Sequence, residues 1–234
     1  MPALFTWRIY VFVRIIYRLL FRNGCPYDAF VCDRRQKMII DISAFQGLID
    51  WRRVLSVNKV DRVILRSTTK NGMLDTRFME NYNGLAKNSF KGVFDVYKFA
   101  YSKTYDTALN EAKNALETLK MRGVLRAVNV FWLDLENIDG VRFSQSQAAQ
   151  VIGAYRVMCE SYGVEFGIYA NYDYVKNVLP KWSATYPLWL ARYNSITGDV
   201  KPFKIEMWQY TSNGKVDGIT GAVDLSRYVN EVKI

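Results

Sequence analysis

Short hydrophobic runs with the two-residue period of β-strands recur from residue 38 onward, separated by stretches with the period of α-helices. The runs, rich in β-branched and aromatic residues, predict strands over residues 38–43, 62–67, 93–99, 128–136, 165–170, 188–192, 206–210 and 223–225. The intervening patterns predict helices over residues 76–87, 105–121, 145–162 and 172–178. Strands that alternate with helices predict βα units, a parallel sheet and an irregular, single-domain α/β barrel of the TIM-like (β/α) type.

The run over residues 128–136 ends in a pair of acids. Strand alternation places Trp132, Asp134 and Glu136 on one face, and the opposite face is apolar. At about 3.3 Å per residue, the carbons that bear the two carboxylates lie roughly 6–7 Å apart, so their charges interact and separate their pKa values. Such a pair can serve as acid and base in catalysis. The alternative is that Asp134 and Glu136 are strand-end residues that face solvent.

Other polar and aromatic residues also fall late in the predicted strands. In α/β barrels the functional side chains gather where the carboxyl ends of the strands meet. The sequence therefore predicts a functional site at that end of the barrel, and the residues placed there are Asp41, Tyr97, Asp134, Glu136, Tyr169 and Gln209.

An apolar, aromatic segment over residues 3–22 is interrupted by arginines. Arg8, Arg14, Arg18 and Arg22 fall within about 120° of a helical wheel, which predicts a cationic amphipathic helix. The arginines exclude a transmembrane span, and a secretory signal would need an unbroken apolar centre. The helix therefore lies in a membrane interface, packs on the barrel with its arginines reaching solvent, or is an atypical targeting segment.

A turn-forming sequence over residues 23–28 reads as a linker, which places a domain boundary near residues 34–37. We predict an N-terminal amphipathic helix and linker over residues 1–36 and a catalytic barrel over residues 37–234. The composition, 50% hydrophobic and 15% aromatic, is sufficient for the core of one α/β domain of this length.

The residue types that are missing limit the chemistry. The chain has no histidine, which excludes Ser-His-Asp triads, Cys-His pairs and the HExxH zinc helix. Its three cysteines, Cys25, Cys32 and Cys159, include no CxxC motif and predict neither a zinc site nor a disulfide scaffold. A Cys25–Cys32 bridge is the alternative to free thiols. Carboxylates, tyrosines, lysines or cysteines must therefore carry any catalysis.

The positive charge is concentrated near the N-terminus. The formal charge is +10, and residues 1–37 hold seven basic and two acidic residues, a net charge of +5. No nucleic-acid-binding motif accompanies this charge, so we expect no nucleic-acid partner. An anionic polymer or a membrane surface fits the charge equally well.

An ordered set of motifs resembles the family 25 glycoside hydrolases, the lysozymes of bacterial and phage origin. An acid ends the first predicted strand in MIIDISAFQGLIDW at residues 38–51, and the paired acids lie in WLDLE at residues 132–136. Further short motifs occur in the same order along the chain as in the family. They are VILR at 63–66, Asp75 with Phe78, YKF at 97–99, GIY at 167–169, LWLARY at 188–193, WQYTSNG at 208–214 and VDL at 223–225.

The resemblance implies hydrolysis of the β-1,4 bond between N-acetylmuramic acid and N-acetylglucosamine in peptidoglycan. It assigns the general acid/base role to Glu136 and makes Asp134 the residue that stabilises the substrate 2-acetamido group as it forms an oxazolinium-like intermediate. Asp41 and Asp224 match the outer carboxylates of the family's acidic cluster. Estimated strand geometry leaves open retention, inversion and a covalent Asp134 nucleophile. The family implies no metal and no cofactor.

The same resemblance implies a sugar groove lined by aromatic residues. Arg66 either holds one of the acids in place or faces solvent. The residues expected to bind substrate are Tyr97, Tyr169, Trp189, Trp208, Gln209 and Arg66.

Two features depart from the family pattern. Many members carry a histidine where this chain has Lys98, and the N-terminal helix is not part of the usual catalytic domain. The resemblance implies action on the cell wall by a secreted or phage-released protein, and the N-terminal helix adds the expectation of membrane association through residues 1–22. The alternatives are a catalytically silent protein that binds glycan or serves in an assembly, and another hexosaminidase such as a chitinase.

Overall fold

The structure, a computed structural model, describes residues 37–193 and 200–229. The helix predicted over residues 3–22, the linker and the pair Cys25 and Cys32 lie outside the described residues. These features and the division of the chain at residue 37 stay predictions. Cys159 is free and buried. Among the helices in the described part, none is long and apolar enough to cross a membrane.

Within the described residues, eight strands close into a barrel in which each strand pairs with the next and β8 returns to β1. The predicted barrel is therefore confirmed. The strands are β1 (Met38–Ile42), β2 (Val60–Arg66), β3 (Val93–Phe99), β4 (Val130–Leu135), β5 (Glu165–Asn171), β6 (Leu188–Ala191), β7 (Ile205–Gly214) and β8 (Val223–Tyr228).

The last strand corrects the expectation of an entirely parallel sheet. Strands β1 to β7 run parallel to one another, whereas β8 is antiparallel to both β7 and β1. Only residues 215–222 connect β7 to β8. A parallel connection needs a crossover of a dozen or more residues, so this short connection forces a reversal of direction.

Four of the five α-helices in the described part follow the predicted pattern, whereas the helix at Trp51–Val57 has no counterpart among the predicted helices. Helix α3 (Tyr105–Met121) begins where the Thr104 side chain accepts a hydrogen bond from the Thr107 backbone N–H. Helix α4 (Gln145–Tyr162) begins at a capping box formed by Ser144 and Gln147 and ends at Gly163, whose φ of 68° is left-handed. The α-helices are α1 (Trp51–Val57), α2 (Phe78–Lys87), α3 (Tyr105–Met121), α4 (Gln145–Tyr162) and α5 (Tyr172–Asn177), and 3₁₀ turns form at Ala44–Gln46, Leu125–Ala127 and Lys181–Thr185.

Alternation along the strands divides the core into two layers. In β4, Trp132 packs inside the barrel with Ile39, Trp189 and Met207. The residues at odd positions of the same strand pack outward, in the larger cluster that the helices cover. The apolar and acidic faces expected for this strand are therefore present. Inward alternation also directs Asp134 towards the mouth of the barrel.

Gly167 of β5 lies in register with Trp132, and a side chain at this position meets the indole. A Cβ placed on Gly167 would lie 2.5 Å from a ring carbon of Trp132. We expect Gly167→Ala to lower the free energy of unfolding by about 1–3 kcal/mol through overpacking, measured by urea denaturation. Gly153→Ala in α4 is the control, because its Cβ would meet its nearest neighbour at 3.7 Å. Equal stability of the two variants would contradict the packing assigned to Gly167.

Candidate active site

The mouth of the barrel holds a cleft of about 190 Å³ that contains the four acids predicted as catalytic. We call Asp41, Asp134, Glu136 and Asp224 the carboxyl cluster. The other residues that line the cleft are Tyr97, Phe99, Tyr169, Trp189, Tyr193, Gln209 and Ser212.

Each acid reaches the mouth for a reason visible in the strands. Asp41 and Asp134 point inward near the carboxyl ends of β1 and β4, and Glu136 is the first residue after β4. Asp224 is the second residue of β8, and its Cα pairs with that of Asp41. Because β8 is antiparallel, its beginning lies where the other strands end.

Burial is the main cause of the altered acidity in the carboxyl cluster. It raises the pKa of Glu136 from 4.5 to about 7, and the charge of Asp224 adds to this effect. Burial, followed by the charges of Glu136 and Asp41, raises the pKa of Asp134 well above its usual value. Burial, followed by the charge of Asp224, also raises the pKa of Asp41 well above its usual value. Glu136 is therefore partly protonated near neutral pH.

Gln209 connects the carboxyl cluster to two tyrosines that line the cleft. Its Nε2 donates a hydrogen bond to Asp41 Oδ2 at 3.1 Å. Its Oε1 accepts hydrogen bonds from the Tyr169 hydroxyl at 2.9 Å and the Tyr193 hydroxyl at 3.3 Å. The donated hydrogen bond opposes the rise in the pKa of Asp41. Gln209 thus orients one acid and two aromatic rings.

In the described part of the chain, one oxygen of the Asp134 carboxyl group is buried and unpaired. Among the described residues, Asp134 Oδ1 is buried and has no hydrogen-bond partner. A buried acceptor without a donor loses its hydration without compensation. This oxygen is therefore ready to accept a hydrogen bond from a ligand in the cleft.

The aromatic residues predicted to bind substrate mostly line the floor of the cleft. Tyr97, Tyr169 and Trp189 lie on its surface but are no more than 8% exposed. The rings of Tyr169 and Trp189 meet edge to face with centroids 4.6 Å apart, and the indole of Trp189 donates to Ser226 Oγ. These rings form the buried floor of the cleft.

Sequence reasoning missed Phe99, Tyr193 and Ser212 as lining residues. Phe99 lies two positions after Tyr97, on the same strand face, within the YKF motif. Tyr193 is 54% exposed and ends the LWLARY motif, on the same parity as Trp189. Alternation along these two motifs is the signal that could have identified both residues.

Two predicted substrate-binding residues do not line the cleft. Trp208 lies between the inward-facing Met207 and Gln209, and its indole donates to the Arg192 carbonyl at 2.7 Å while its ring packs against Tyr210. Strand alternation therefore turns Trp208 away from the cleft, which corrects its predicted place in the sugar groove. Arg66 lies at the edge, with its guanidinium carbon 5.3 Å from the centre of the Phe99 ring.

Lys98, at the position where the resemblance to the family predicts a histidine, faces away from the cleft. Its Nζ donates to the Phe99 carbonyl at 2.8 Å and to Glu111 Oε1 of α3 at 3.0 Å. The Glu111 carboxylate also accepts the backbone N–H groups of Tyr101 and Ser102. Burial lowers the pKa of Lys98, and the charge of Glu111 opposes this effect. The pair fastens the loop that follows β3.

The described residues show no group of three or more acidic or cysteine side chains arranged to hold a metal ion. Asp50, near the end of the first motif, caps helix α1 by accepting a hydrogen bond from the Arg53 backbone N–H. The cleft places the partly protonated Glu136 and other carboxyl groups beside aromatic rings.

Comparisons with known proteins agree with this geometry. The family profile of Glycosyl hydrolases family 25 matches residues 40–219. The uncharacterized protein YegX of Escherichia coli (strain K12) is 25% identical over 201 residues, which cover 83% of this chain and 70% of that protein.

Solved structures share the fold. The modular autolysin LytC of Streptococcus pneumoniae, in complex with a synthetic peptidoglycan ligand, matches with a TM-score of 0.73 and 26% identity. The match covers 84% of this chain and 47% of LytC, so this chain spans about half the length of that autolysin. The lysozyme of Streptomyces coelicolor matches in fold at 20% identity, with a TM-score of 0.67 over 84% of this chain and 94% of the lysozyme. The family match extends over most of the barrel, and this chain belongs to the glycosyl hydrolases of family 25.

Proposed function

We propose that this protein is a peptidoglycan hydrolase that cleaves the β-1,4 bond between N-acetylmuramic acid and N-acetylglucosamine. The observation that carries the proposal is a partly protonated Glu136, with a pKa of about 7, in a cleft that also holds the buried Asp134. Glycoside hydrolysis needs a proton donor at the leaving oxygen and negative charge near an oxocarbenium-like centre. The peptidoglycan ligand of LytC, a structural relative, supports the choice of substrate.

In the proposed mechanism, Glu136 acts first as acid and then as base. Its carboxyl proton moves to the glycosidic oxygen as the bond to the anomeric carbon breaks. The carbonyl oxygen of the substrate 2-acetamido group forms a bond to the anomeric carbon and gives an oxazolinium-like intermediate. The ionised Glu136 then takes a proton from water, whose oxygen attacks the anomeric carbon and opens the intermediate. Glu136 ends the cycle protonated.

Asp134 is proposed to stabilise the acetamido group. Its unpaired Oδ1 accepts the acetamido N–H, which orients the carbonyl oxygen towards the anomeric carbon. Arg66 and Lys98 oppose the effect of burial on the pKa of Asp134. The positive charge that develops on the acetamido group favours the ionised form of Asp134 further. The interaction therefore strengthens as the transition state forms, which is the condition for catalysis.

Substrate comparison tests the proposed function against its alternatives. The initial rate of glycan cleavage is measured with purified peptidoglycan and with chitin oligomers. We expect turnover of peptidoglycan and much slower turnover of chitin. Faster cleavage of chitin would favour another hexosaminidase, and binding without products from several wall types would favour a silent glycan-binding protein.

The pH dependence tests the role of Glu136. If the protonated form is the catalyst, kcat/KM falls about tenfold per pH unit above the pKa of about 7. The charge of Asp224 adds to the rise in this pKa that burial causes, so Asp224→Asn is expected to shift the alkaline limb to lower pH. The pH–rate profiles of both proteins provide the measurement. An alkaline limb that stays in place or moves to higher pH would contradict the assignment.

A further inference from the structure

One side of the cleft mouth combines cations with aromatic rings. We call Arg66, Lys70, Phe99 and Tyr101 the cationic rim. The Arg66 guanidinium carbon lies 5.3 Å from the centre of the Phe99 ring, and Lys70 Nζ lies 5.3 Å from that of Tyr101. The two ring centroids are 6.4 Å apart. Because Phe99 also lines the cleft, the rim continues the cleft outward.

The cations of the rim retain capacity to bind an anion. Among the described residues, Arg66 Nε is buried and has no hydrogen-bond partner. The side chain of Lys70 is 53% exposed, and it meets Asp139 only at 4.0 Å, a distance typical of a weak surface pair. A buried hydrogen-bond donor without an acceptor is energetically unfavourable. A ligand oxygen that accepts a hydrogen bond from Arg66 therefore contributes more binding free energy than a ligand oxygen at an already paired group.

Charge complementarity indicates which ligand group belongs at the rim. The carboxyl cluster repels an anionic ligand over most of the cleft, whereas the rim attracts one. A muramyl residue carries a carboxylate on its lactyl group or on the peptide attached to that group. Chitin carries no carboxylate. The rim therefore matches the part of peptidoglycan that distinguishes it from chitin.

We propose that the cationic rim is a carboxylate subsite, in which Arg66 and Lys70 bind the carboxylate of a muramyl lactyl-peptide substituent. Phe99 and Tyr101 pack against the apolar faces of the adjoining sugar or peptide. The subsite rests on the proposed function and gives it a structural basis for selecting peptidoglycan. The arginine fork forms the stronger contact, and the exposed Lys70 adds a weaker one.

Calorimetric binding tests the subsite without dependence on turnover. Three versions of one N-acetylglucosamine–N-acetylmuramic acid tetrasaccharide are compared in the Glu136→Gln background, which prevents cleavage. One has free lactyl carboxylates, one carries peptides with free carboxylates, and one has its lactyl carboxyls converted to neutral amides. Comparing the affinities for the first two glycans shows whether the bound anion is the lactyl carboxylate or a carboxylate of the peptide.

We expect Arg66→Gln to weaken binding of a carboxylate-bearing glycan about tenfold and binding of the amidated glycan less than twofold. Lys70→Gln is expected to weaken binding of the charged glycan about threefold. Because Lys70 is exposed, this variant keeps the test valid if Arg66→Gln does not fold. Lys87→Gln, an exposed cation at the end of α2, is the control and should leave both affinities unchanged.

The outcomes separate the subsite from the proposed function. Equal losses for charged and amidated glycans, or no loss for either, overturn the carboxylate subsite. Wild-type hydrolysis of peptidoglycan is recorded in parallel. Hydrolysis without carboxylate-dependent binding leaves the proposed function in place, whereas carboxylate-dependent binding without hydrolysis retains the subsite and removes the function.

Discussion

Replacing Glu136 with glutamine is expected to reduce peptidoglycan turnover by a factor of about 10²–10⁴ while the barrel stays folded. Glutamine keeps the size of the side chain and can still form hydrogen bonds, but its amide has no acidic proton to transfer to the leaving oxygen. Glu136 is the first residue after β4 and makes no hydrogen bond that holds the described strands together, so the fold should tolerate the change. Initial rates on purified peptidoglycan provide the measurement.

The matched control is Glu160→Gln. Glu160 lies near the end of α4, is exposed and pairs with Arg156 on the same helix. The control removes one carboxylate of the same type far from the cleft, and we expect full activity. A Glu136→Gln protein that keeps both its melting temperature and more than about a tenth of wild-type turnover would remove Glu136 from the role of acid.

Breaking the buried Lys98–Glu111 pair is expected to have the largest effect on stability. The side chains are 1% and 12% exposed, and Nζ lies 3.0 Å from Oε1. Lys98→Met leaves the Glu111 carboxylate without its cation, at an expected cost of about 3 kcal/mol in the free energy of unfolding. Urea denaturation measures the change.

A double-mutant cycle distinguishes the ion pair from general packing. In Lys98→Met combined with Glu111→Gln, neither side chain is charged. The double variant should therefore lose clearly less stability than the sum of the single variants. Strictly additive losses would show that the pair contributes no interaction of its own.

The same pair connects to the proposed active site through the backbone. It fastens the loop after β3, where the Ala100 N–H donates to the Asp134 carbonyl at 2.9 Å. Loosening this loop is expected to displace Phe99 and Asp134 in the cleft. Lys98 thus supports the cleft wall from behind and does not line the cleft.

Much of the barrel could be predicted because local signals agreed with the final packing. The bounds predicted for α3 and α4 match the structure, since Thr104, Ser144 and Gly163 mark their ends with capping side chains or a left-handed backbone. The inward face of β4 followed from simple alternation. The acids Asp41 and Asp134 then reached the mouth because parallel strands end there.

The features that escaped prediction depend on contacts distant in sequence. Trp208 and Gln209 are both expected in the groove from the sequence, although alternation lets only one of two neighbouring strand residues face it. The hydrogen bond from Gln209 to Asp41 shows that Gln209 is that residue. The partner of Lys98 is on the next helix, and no periodicity identifies it. The pKa of Glu136 depends on burial more than on the crowding of acids expected from the sequence.

Mass spectrometry of the new reducing ends in digested peptidoglycan tests the central claim most directly. Wild-type protein and Glu136→Gln are incubated with purified walls of several chemistries, and the reduced products are identified. We predict muramic acid reducing ends from the wild-type protein and none from Glu136→Gln. N-acetylglucosamine reducing ends, or the same products from both proteins, would contradict the assigned bond and the assigned acid.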